Sequence, residues 1–339
     1  MVFVTGGTGL LGAHVLVELS KRGQPILALK RNSSSTKMTE AIFQYFFKDQ
    51  SEALFNQIEW VEGNILDVNS LKSPLQRCNI VYHCAGKVSF HKRDFHAMMK
   101  INKEGTANMV NVALSVGIEK FCHVSSTAAI GRDVKTLLYT EENKWQTSNE
   151  NSNYAVSKYS AEMEVWRSKE EGLNVTIVNP SVIIGAGFWT ESSLEIFDTV
   201  SKGLKYYPSG MNAFVDARDV AYCMVELVEK NKMGDRYLTI SQNVFFKDLL
   251  STIATKMSVK KPSVAVKPWM VELGWRLEKI KAIIFARKPK ITKETARSAM
   301  SISKYNNQKI KTAIGIDFIP IEDAIENAIS FHDFIKNNK

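Results

Sequence analysis

The chain has 339 residues, 45% of them hydrophobic, and 44 Lys and Arg stand against 35 Asp and Glu for a net charge of +9. That length exceeds one small core and calls for a large α/β domain with an appended lobe, or for two domains. No run of about 18 uncharged apolar residues argues for a transmembrane helix. A first strand at Val2 leaves no room for a signal or transit peptide, so a cytoplasmic location is expected.

Cys78, Cys84, Cys122 and Cys223 lie in or beside apolar stretches without the paired spacing of a zinc site, so reduced thiols and no metal are expected. The excess charge is local. Between Lys256 and Lys311 there are 15 Lys and Arg against 3 acids, a net +12, which leaves the remainder near −3. No recognised nucleic-acid module accompanies this patch, so no nucleic-acid partner is expected, and it reads as a solvated or anion-attracting face.

In chain order, the apolar run Val2 to Val4 reads as a buried parallel strand. Gly6, Gly9 and Gly12 follow at once and lead into a helical pattern from Ala13 to Lys21. Gly6 would permit a sharp turn, Gly9 a close approach of a pyrophosphate, and Gly12 tight packing of helix on strand, with the free N–H groups of the helix start facing the phosphates. The element predicts dinucleotide binding. Pro25 to Leu29 forms a second strand ending in Lys30 and Arg31, where an acid would hold a ribose 2′-OH and a cation suits a 2′-phosphate. Met38 to Phe55 has the spacing of one or two helices. Ile58 to Val61 is a third strand with Gly63, Asn64 and Ile65 at its exit, beside the adenine in a nucleotide fold.

Ile80 to Cys84 is a fourth strand, ending in Ala85 and Gly86 where a backbone close to a cofactor is tolerated; His83 and His91 read as structural. Phe95 to Val116 has helical periodicity, and Phe121 to Ser125 is a fifth strand. This alternation predicts a doubly wound parallel sheet with its site at the strands' carboxyl ends. Ser125, Ser126 and Thr127 stand at such an end. Tyr154 and Lys158 follow, four residues apart on one helical face, a spacing that lets the ammonium lower the phenol's pKa and make Tyr154 a usable proton donor and acceptor.

With these pieces in order the chain resembles, over essentially its whole length, the extended short-chain dehydrogenase/reductase superfamily. The resemblance rests on the Thr5 to Gly12 turn, on Val124-Ser125-Ser126, on Tyr154 to Lys158, and on Asn179-Pro180-Ser181-Val182 through Gly185, which is similar to the strand and loop closing over the nicotinamide. It implies that Tyr154 exchanges the proton with the substrate oxygen, that Lys158 binds the nicotinamide ribose and tunes Tyr154, and that Ser126 hydrogen-bonds the reacting carbonyl or alcohol. It implies cofactor contacts from Gly6, Thr8, Gly9, Leu10, Leu11 and Gly12, from Lys30, Arg31, Asn64 and Ile65, from Ala85 and Gly86, and from Pro180, Ser181 and Val182. Asn102 matches a helix asparagine that supports a proton relay in some relatives. Asn64 replaces the usual Asp at the adenine.

Within the superfamily the chain is most similar to the dihydroflavonol-4-reductase-like and 3β-hydroxysteroid-dehydrogenase-like branch. Thr127 is followed by Ala128 and Ala129, not by the Asp-Glu pair of sugar-nucleotide dehydratases, and Val178 stands before Asn179 where sugar epimerases often carry Phe.

Beyond Pro180 the alternation breaks down. Phe214 to Val220 returns the chain to the sheet, with Asp219 expected as a helix N-cap; Arg236 to Ile240 is a further strand, and the remainder from Phe245 is expected to be mainly helical. Trp269, Leu273, Leu277, Ile280 and Ile284 share one helical face, expected to pack on its own lobe, with a membrane-surface helix as the alternative. Asp317 to Phe334 reads as the closing helix.

The expected fold is thus a Rossmann-type α/β domain, residues 1–179 completed by segments near 212–240. A smaller, mainly helical substrate lobe would occupy 180–339, chiefly 180–211 and 241–339. The expected activity is hydride transfer between NADP(H), NADPH over NADH, and a carbonyl or secondary alcohol of a small hydrophobic substrate. An NAD-dependent sugar-nucleotide epimerase and a non-catalytic NAD(P)-binding regulator are the alternatives. Weak peripheral membrane contact through the basic C-terminal region and pairing into a homodimer complete the expected partners.

Overall fold

The structure is a computed structural model that describes residues 1–131, 138–148, 151–190, 192–284 and 292–338. Strand and helix alternate at first: β1 (Val2–Thr5), α1 (Leu10–Lys21), β2 (Ile26–Lys30), α2 (Lys37–Phe47), α3 (Ser51–Asn56), β3 (Glu59–Glu62), α4 (Asn69–Leu75) and β4 (Ile80–His83). Then come α5 (Phe95–Met98), α6 (Gly105–Val116), β5 (Lys120–Val124), α7 (Asn153–Glu170), β6 (Val175–Pro180), β7 (Val182–Ile184), α8 (Glu195–Ser201), β8 (Tyr206–Tyr207), β9 (Met211–Asp216), α9 (Ala217–Glu229) and β10 (Arg236–Thr239). The chain closes with β11 (Gln242–Phe245), α10 (Phe246–Lys256), β12 (Val264–Ala265), α11 (Pro268–Ile284), α12 (Lys293–Met300), α13 (Gln308–Ile314) and α14 (Ile321–Asn337).

Seven strands form one parallel sheet in the order β10-β6-β5-β4-β1-β2-β3. The order reverses between β1 and β4, so the loops leaving their carboxyl ends run to opposite faces and open a crevice. Helices cover both faces. Leu16, Val225 and Phe331 of α1, α9 and α14 pack on one side, and Leu71, Val110 and Val165 of α4, α6 and α7 on the other. Burial on both faces is why Val2, Phe3 and Val4, each 2% exposed or less, form an unbroken apolar run. The four cysteines are free thiols.

Several boundaries differ from the periodicity. The stretch predicted from Met38 to Phe55 is two helices because Lys48 takes a positive φ of 49°. The stretch from Phe95 to Val116 is interrupted by a π-helical turn, Met99–Glu104. Asp219 is not the N-cap of α9. That cap is Asp216, whose carboxylate accepts from the Arg218 N–H at 2.8 Å, while Asp219 accepts from the Ile319 N–H at 2.8 Å and so ties the chain before α14 to α9.

Between β6 and the C-terminus a second group of elements has its own core of Ile184, Trp189, Phe197, Phe214, Leu249 and Ile325. Its helices were foreseen, but its sheets were not: β7 and β9 pair in parallel with β11 antiparallel beside them, and β8 pairs with β12. The expectation that the α11 stripe packs on its own lobe is overturned. Trp269, Leu273 and Leu277 are 63%, 49% and 48% exposed, because α11 meets α12 through its other face, at Val271 and Trp275. The side chains of Ile280 and Ile284 lie outside the described residues, as do residues 285–291 of the basic stretch.

The β1–α1 turn has no room to spare. A Cβ on Gly12 would stand 2.1 Å from the Gly6 carbonyl oxygen, and Gly6 has a φ of +72° with Ala85 N 2.7 Å from its own ideal Cβ position. Gly12→Ala must push the helix off the strand, so we expect a loss of about 1–3 kcal/mol in chemical denaturation, whereas Gly9→Ala should unfold like the parent, since its Cβ would meet nothing nearer than Gly6 O at 3.5 Å. Equal losses at both positions would contradict this packing.

Candidate active site

Every element predicted to meet a cofactor reaches the same end of the sheet. Thr8, Gly9, Leu10, Leu11 and Gly12 turn from β1 into α1; Lys30 and Arg31 end β2; Asn64 and Ile65 follow β3; Ala85 and Gly86 follow β4; Pro180 ends β6, with Ser181 and Val182 next to it. The turn is closed by Gly9 N–H donating to Gly6 O at 3.0 Å, and Gly9, as the N-cap of α1, offers no side chain. No acid occupies the first turn of α1, so its N–H groups and positive dipole end face the crevice without a competing carboxylate.

The β4 exit is fixed from beneath. His83, fully buried, is bonded through Nδ1 to Thr5 Oγ1 at 2.7 Å and through Nε2 to Thr106 Oγ1 at 3.1 Å, and burial lowers its pKa to about 3, so it is a neutral strut. Thr5 Oγ1 also accepts from Ala85 N–H at 3.2 Å. Beyond it, Asn102 in the π-helical turn accepts from Lys87 N–H at 2.7 Å and donates to Lys87 O and to Ser157 Oγ, both at 2.9 Å. Its side chain therefore staples the Gly86-Lys87 backbone to α7. Gly86 lies against Lys158, whose Nζ would be 3.9 Å from a Cβ there.

Ser126, Tyr154 and Lys158 come together at the mouth. Ser152 caps α7 by accepting from Ala155 N–H at 3.0 Å, which sets the helix so that its first turn presents Tyr154. The Ser126 side chain neighbours the Tyr154 hydroxyl closely enough to act on its pKa, and its Oγ accepts from Ala128 N–H at 3.1 Å. The structure separates the two serines that the sequence leaves adjacent: Ser125 turns inward and donates to Glu162 at 2.5 Å.

Lys158 differs from the sequence expectation in its aim. It is 6% exposed and donates from Nζ to the Val124 carbonyl at 2.6 Å, and burial brings its pKa down to about 8, opposed by the Glu162 charge. The Tyr154 phenol is raised above its usual pKa by burial, with the Ser126 side chain acting the other way, so the predicted lowering by the neighbouring ammonium is not found. Burial penalises the charged form of both groups.

Sequence reasoning missed Glu162, Arg236 and Phe90. Glu162, with no exposure, sits one turn beyond Lys158 on the same face. Its Oε2 accepts from Ser125 and from Asn179 Nδ2 at 2.9 Å, and its Oε1 from Arg236 at 3.0 Å and Trp166 at 3.3 Å. Asn179 Nδ2 also donates to Ser126 O at 3.1 Å, and Arg236 donates to Glu141 O and Asn143 O, which lays the strap after β5 across α7. The i, i+4, i+8 spacing of Tyr154, Lys158 and Glu162 was visible; the distant Arg236 was not. Phe90 packs edge-on to Tyr154 with ring centres 5.8 Å apart.

The residues fit a dinucleotide. Gly6 and Gly12 let the turn fold tightly on itself, Gly9 leaves the start of α1 open with no side chain over it, and Ser181 Oγ is buried at the end of β6 with no hydrogen-bond partner among the described residues. Asn64 Oδ1 accepts from Leu66 N–H at 3.0 Å, which orders the β3 exit. A cleft of about 700 Å³ between Phe188, Trp189, His332 and Lys336 contains none of Ser126, Tyr154 and Lys158.

A buried Glu162–Arg236 pair holds this arrangement. Removing one partner leaves the other charge uncompensated, so Glu162→Gln should lose on the order of 3 kcal/mol in chemical denaturation. Combined with Arg236→Met it should show a coupling energy above about 1 kcal/mol. Strictly additive losses in that double-mutant cycle would mean that the two side chains act independently.

Comparison with known proteins agrees with this geometry. Residues 2–240 match the model of the NAD dependent epimerase/dehydratase family. The chain is 28% identical to a candidate dihydroflavonol 4-reductase of Synechocystis sp., over 98% of this chain and 96% of that protein. It is 23% identical to cinnamoyl-CoA reductase 1 of Petunia hybrida, over 97% of this chain and 91% of that one. The crystal structure of gox2253 superposes with a TM-score of 0.80 at 28% identity, covering 98% of this chain and 97% of that one.

Proposed function

Since the chain belongs to the NAD-dependent epimerase/dehydratase family and is an NAD(P)-dependent oxidoreductase of the extended short-chain type, we propose that Ser126, Tyr154 and Lys158 are its catalytic residues and that it reduces the carbonyl of a small hydrophobic substrate with NADPH. The observation that carries this reading is the convergence of the Tyr154 hydroxyl, which Ser126 neighbours closely enough to ease its phenol, with the buried Lys158 beside Gly86 at the switch point of the sheet.

When bound, the cofactor supplies the hydride. Lys158 would hold the nicotinamide ribose, the N–H groups of the Gly6 to Gly12 turn the pyrophosphate, and Ser181 the carboxamide end. Ser126 orients the substrate oxygen, and Tyr154 gives it a proton as hydride arrives at carbon; in the reverse direction it takes that proton back. A phenol raised above its ordinary pKa is protonated at neutral pH, the form a reductive step consumes. Phe90 beside Tyr154 gives the mouth an apolar wall, and the two named relatives, a dihydroflavonol reductase and a cinnamoyl-CoA reductase, support a substrate with an apolar body. In this reading residues 1–179 with 212–240 bind the cofactor and the segments 180–211 and 241–339 bind the substrate.

The preference for NADPH rests on Lys30 and Arg31. Lys30 stands in register opposite Glu62, which offsets its charge, so exposed Arg31 just past the strand is the larger determinant. A charge-assisted contact contributes about 1.5–3 kcal/mol, so NADPH should bind roughly tenfold to hundredfold tighter than NADH, and Arg31→Ala should erase most of that margin. Fluorescence titration of both cofactors into parent and variant measures it; equal affinities in the parent would refute the preference.

The decisive experiment is Tyr154→Phe. The ring and its contact with Phe90 survive, so cofactor affinity should be unchanged while turnover on the best aromatic ketone or aldehyde from a screen falls about 10²- to 10⁴-fold. Lys158→Met should weaken both. Retained turnover in Tyr154→Phe would overturn the proposed mechanism, and tightly co-purifying NAD together with no activity on added carbonyl compounds would point to an epimerase.

A further inference from the structure

The stripe of α11 left in water and the charge around it have one common explanation. Trp269, Leu273 and Leu277 recur at steps of four and so form one apolar line on the exposed side of the helix, while Val271 and Trp275 on its other side face Lys293, Arg297 and Met300 of α12 across a cavity of about 180 Å³. Exposed apolar side chains in a line, rather than scattered singly, mark a surface that something covers. In the sequence the segment from 256 to 311 carries 15 cations and 3 acids, and among its described residues Lys260, Lys261, Lys267 and Lys293 are exposed.

We infer that the α11–α12 pair docks the protein on an anionic lipid surface, with Trp269, Leu273 and Leu277 in the interfacial layer and the lysines against the headgroups. A lipid surface matches both features at once, as a basic amphipathic helix with a tryptophan requires. A second copy of this chain would set one net +12 segment against another. A polyanion in solution would meet the charge and leave Leu273 and Leu277 in water.

The position of the pair gives docking a consequence. Glu294, in the first turn of α12, lies close enough to the backbone N–H of Asn153, the residue before Tyr154, and to Lys92 for both to favour its charged form against burial. The loop that carries Phe90 onto Tyr154 also exposes Val88 by 50%. The helix pair that carries the docked stripe therefore lies beside the start of α7, with the stripe on its far side, and docking would bring the mouth above Tyr154 near the lipid surface that holds an apolar substrate. This last step rests on the oxidoreductase reading; the docking itself does not.

Co-flotation of the full chain with vesicles tests the docking. The chain should float with vesicles that are about one-third phosphatidylglycerol, not with pure phosphatidylcholine, and should be released at about 0.5 M salt. Two triple variants, Trp269→Ser/Leu273→Ser/Leu277→Ser and Lys260→Glu/Lys261→Glu/Lys267→Glu, should each bind at least about tenfold more weakly with cofactor affinity intact. Tyr154→Phe should float like the parent, so loss of catalysis and loss of docking are read separately. Equal binding to both vesicle types, binding to neither, or an apolar triple variant that still floats would overturn the proposal. So would light scattering that shows a dimer in the parent and a monomer in the apolar variant, because the stripe would then be a contact between copies.

Discussion

The carboxylate of Glu162 is the constraint on which the rest of the site depends. A fully buried charge is stable only when it is paired and hydrogen-bonded, and the four donors it gathers come from four places: Ser125 after β5, Asn179 in β6, Arg236 in β10 and Trp166 one turn along α7. Satisfying one charge thus fixes the relative positions of three strand ends and a helix. The same network reaches the surface of the crevice through Asn179, which binds the Ser126 carbonyl, and through the shared helical face that places Lys158 one turn from Glu162. The groups at the mouth are held by a demand for electrostatic satisfaction beneath them more than by contacts with one another.

The two groups at the mouth show what that construction does to proton affinity. Lys158 is pulled down by burial and held partly charged by Glu162, and the phenol of Tyr154 is pushed up by burial and eased by Ser126. Both are therefore driven toward their neutral forms. The sequence-level argument ran from proximity alone: an ammonium four residues away ought to lower a phenol's pKa. Proximity along a helix face does not settle where Nζ points, and here it points at the Val124 carbonyl. The ammonium is spent on that carbonyl, and no Coulombic effect of it on the phenol is resolved.

Legibility followed the range of the interactions. Six of the seven parallel strands, the glycine turn and the Tyr154–Lys158 spacing were readable because each is local: a short apolar run, a turn whose missing Cβ atoms are required within six residues, a single helical step; β6 was visible only at its end, through the resemblance of Asn179 to Gly185. The π-helical turn at Met99–Glu104 has no periodic signature, and its purpose, aiming Asn102 at Lys87 and Ser157, depends on contacts up to 55 residues away. The misplaced cap of α9 has the same origin. Asp216 and Asp219 are equally good caps on paper. The pairing of β9 with β7 and β11 carries the strand through Asp216 and starts the helix there, which frees Asp219 to hold Ile319.

The C-terminal elements were least legible because their apolar residues serve two masters. In α10 and α14 the apolar face meets a core, as Leu249 and Ile325 do, and amphipathic periodicity reads it correctly. In α11 the stripe has the same periodicity and meets solvent instead. Periodicity reports that one face is apolar; it carries no information about what covers that face. The charge does carry some, because a helix that packs into its own protein has no need of neighbours with a large single-sign excess, whereas one that meets an external anionic partner does. The coincidence of an uncovered apolar line with the only strongly basic segment of the sequence therefore says more than either observation alone.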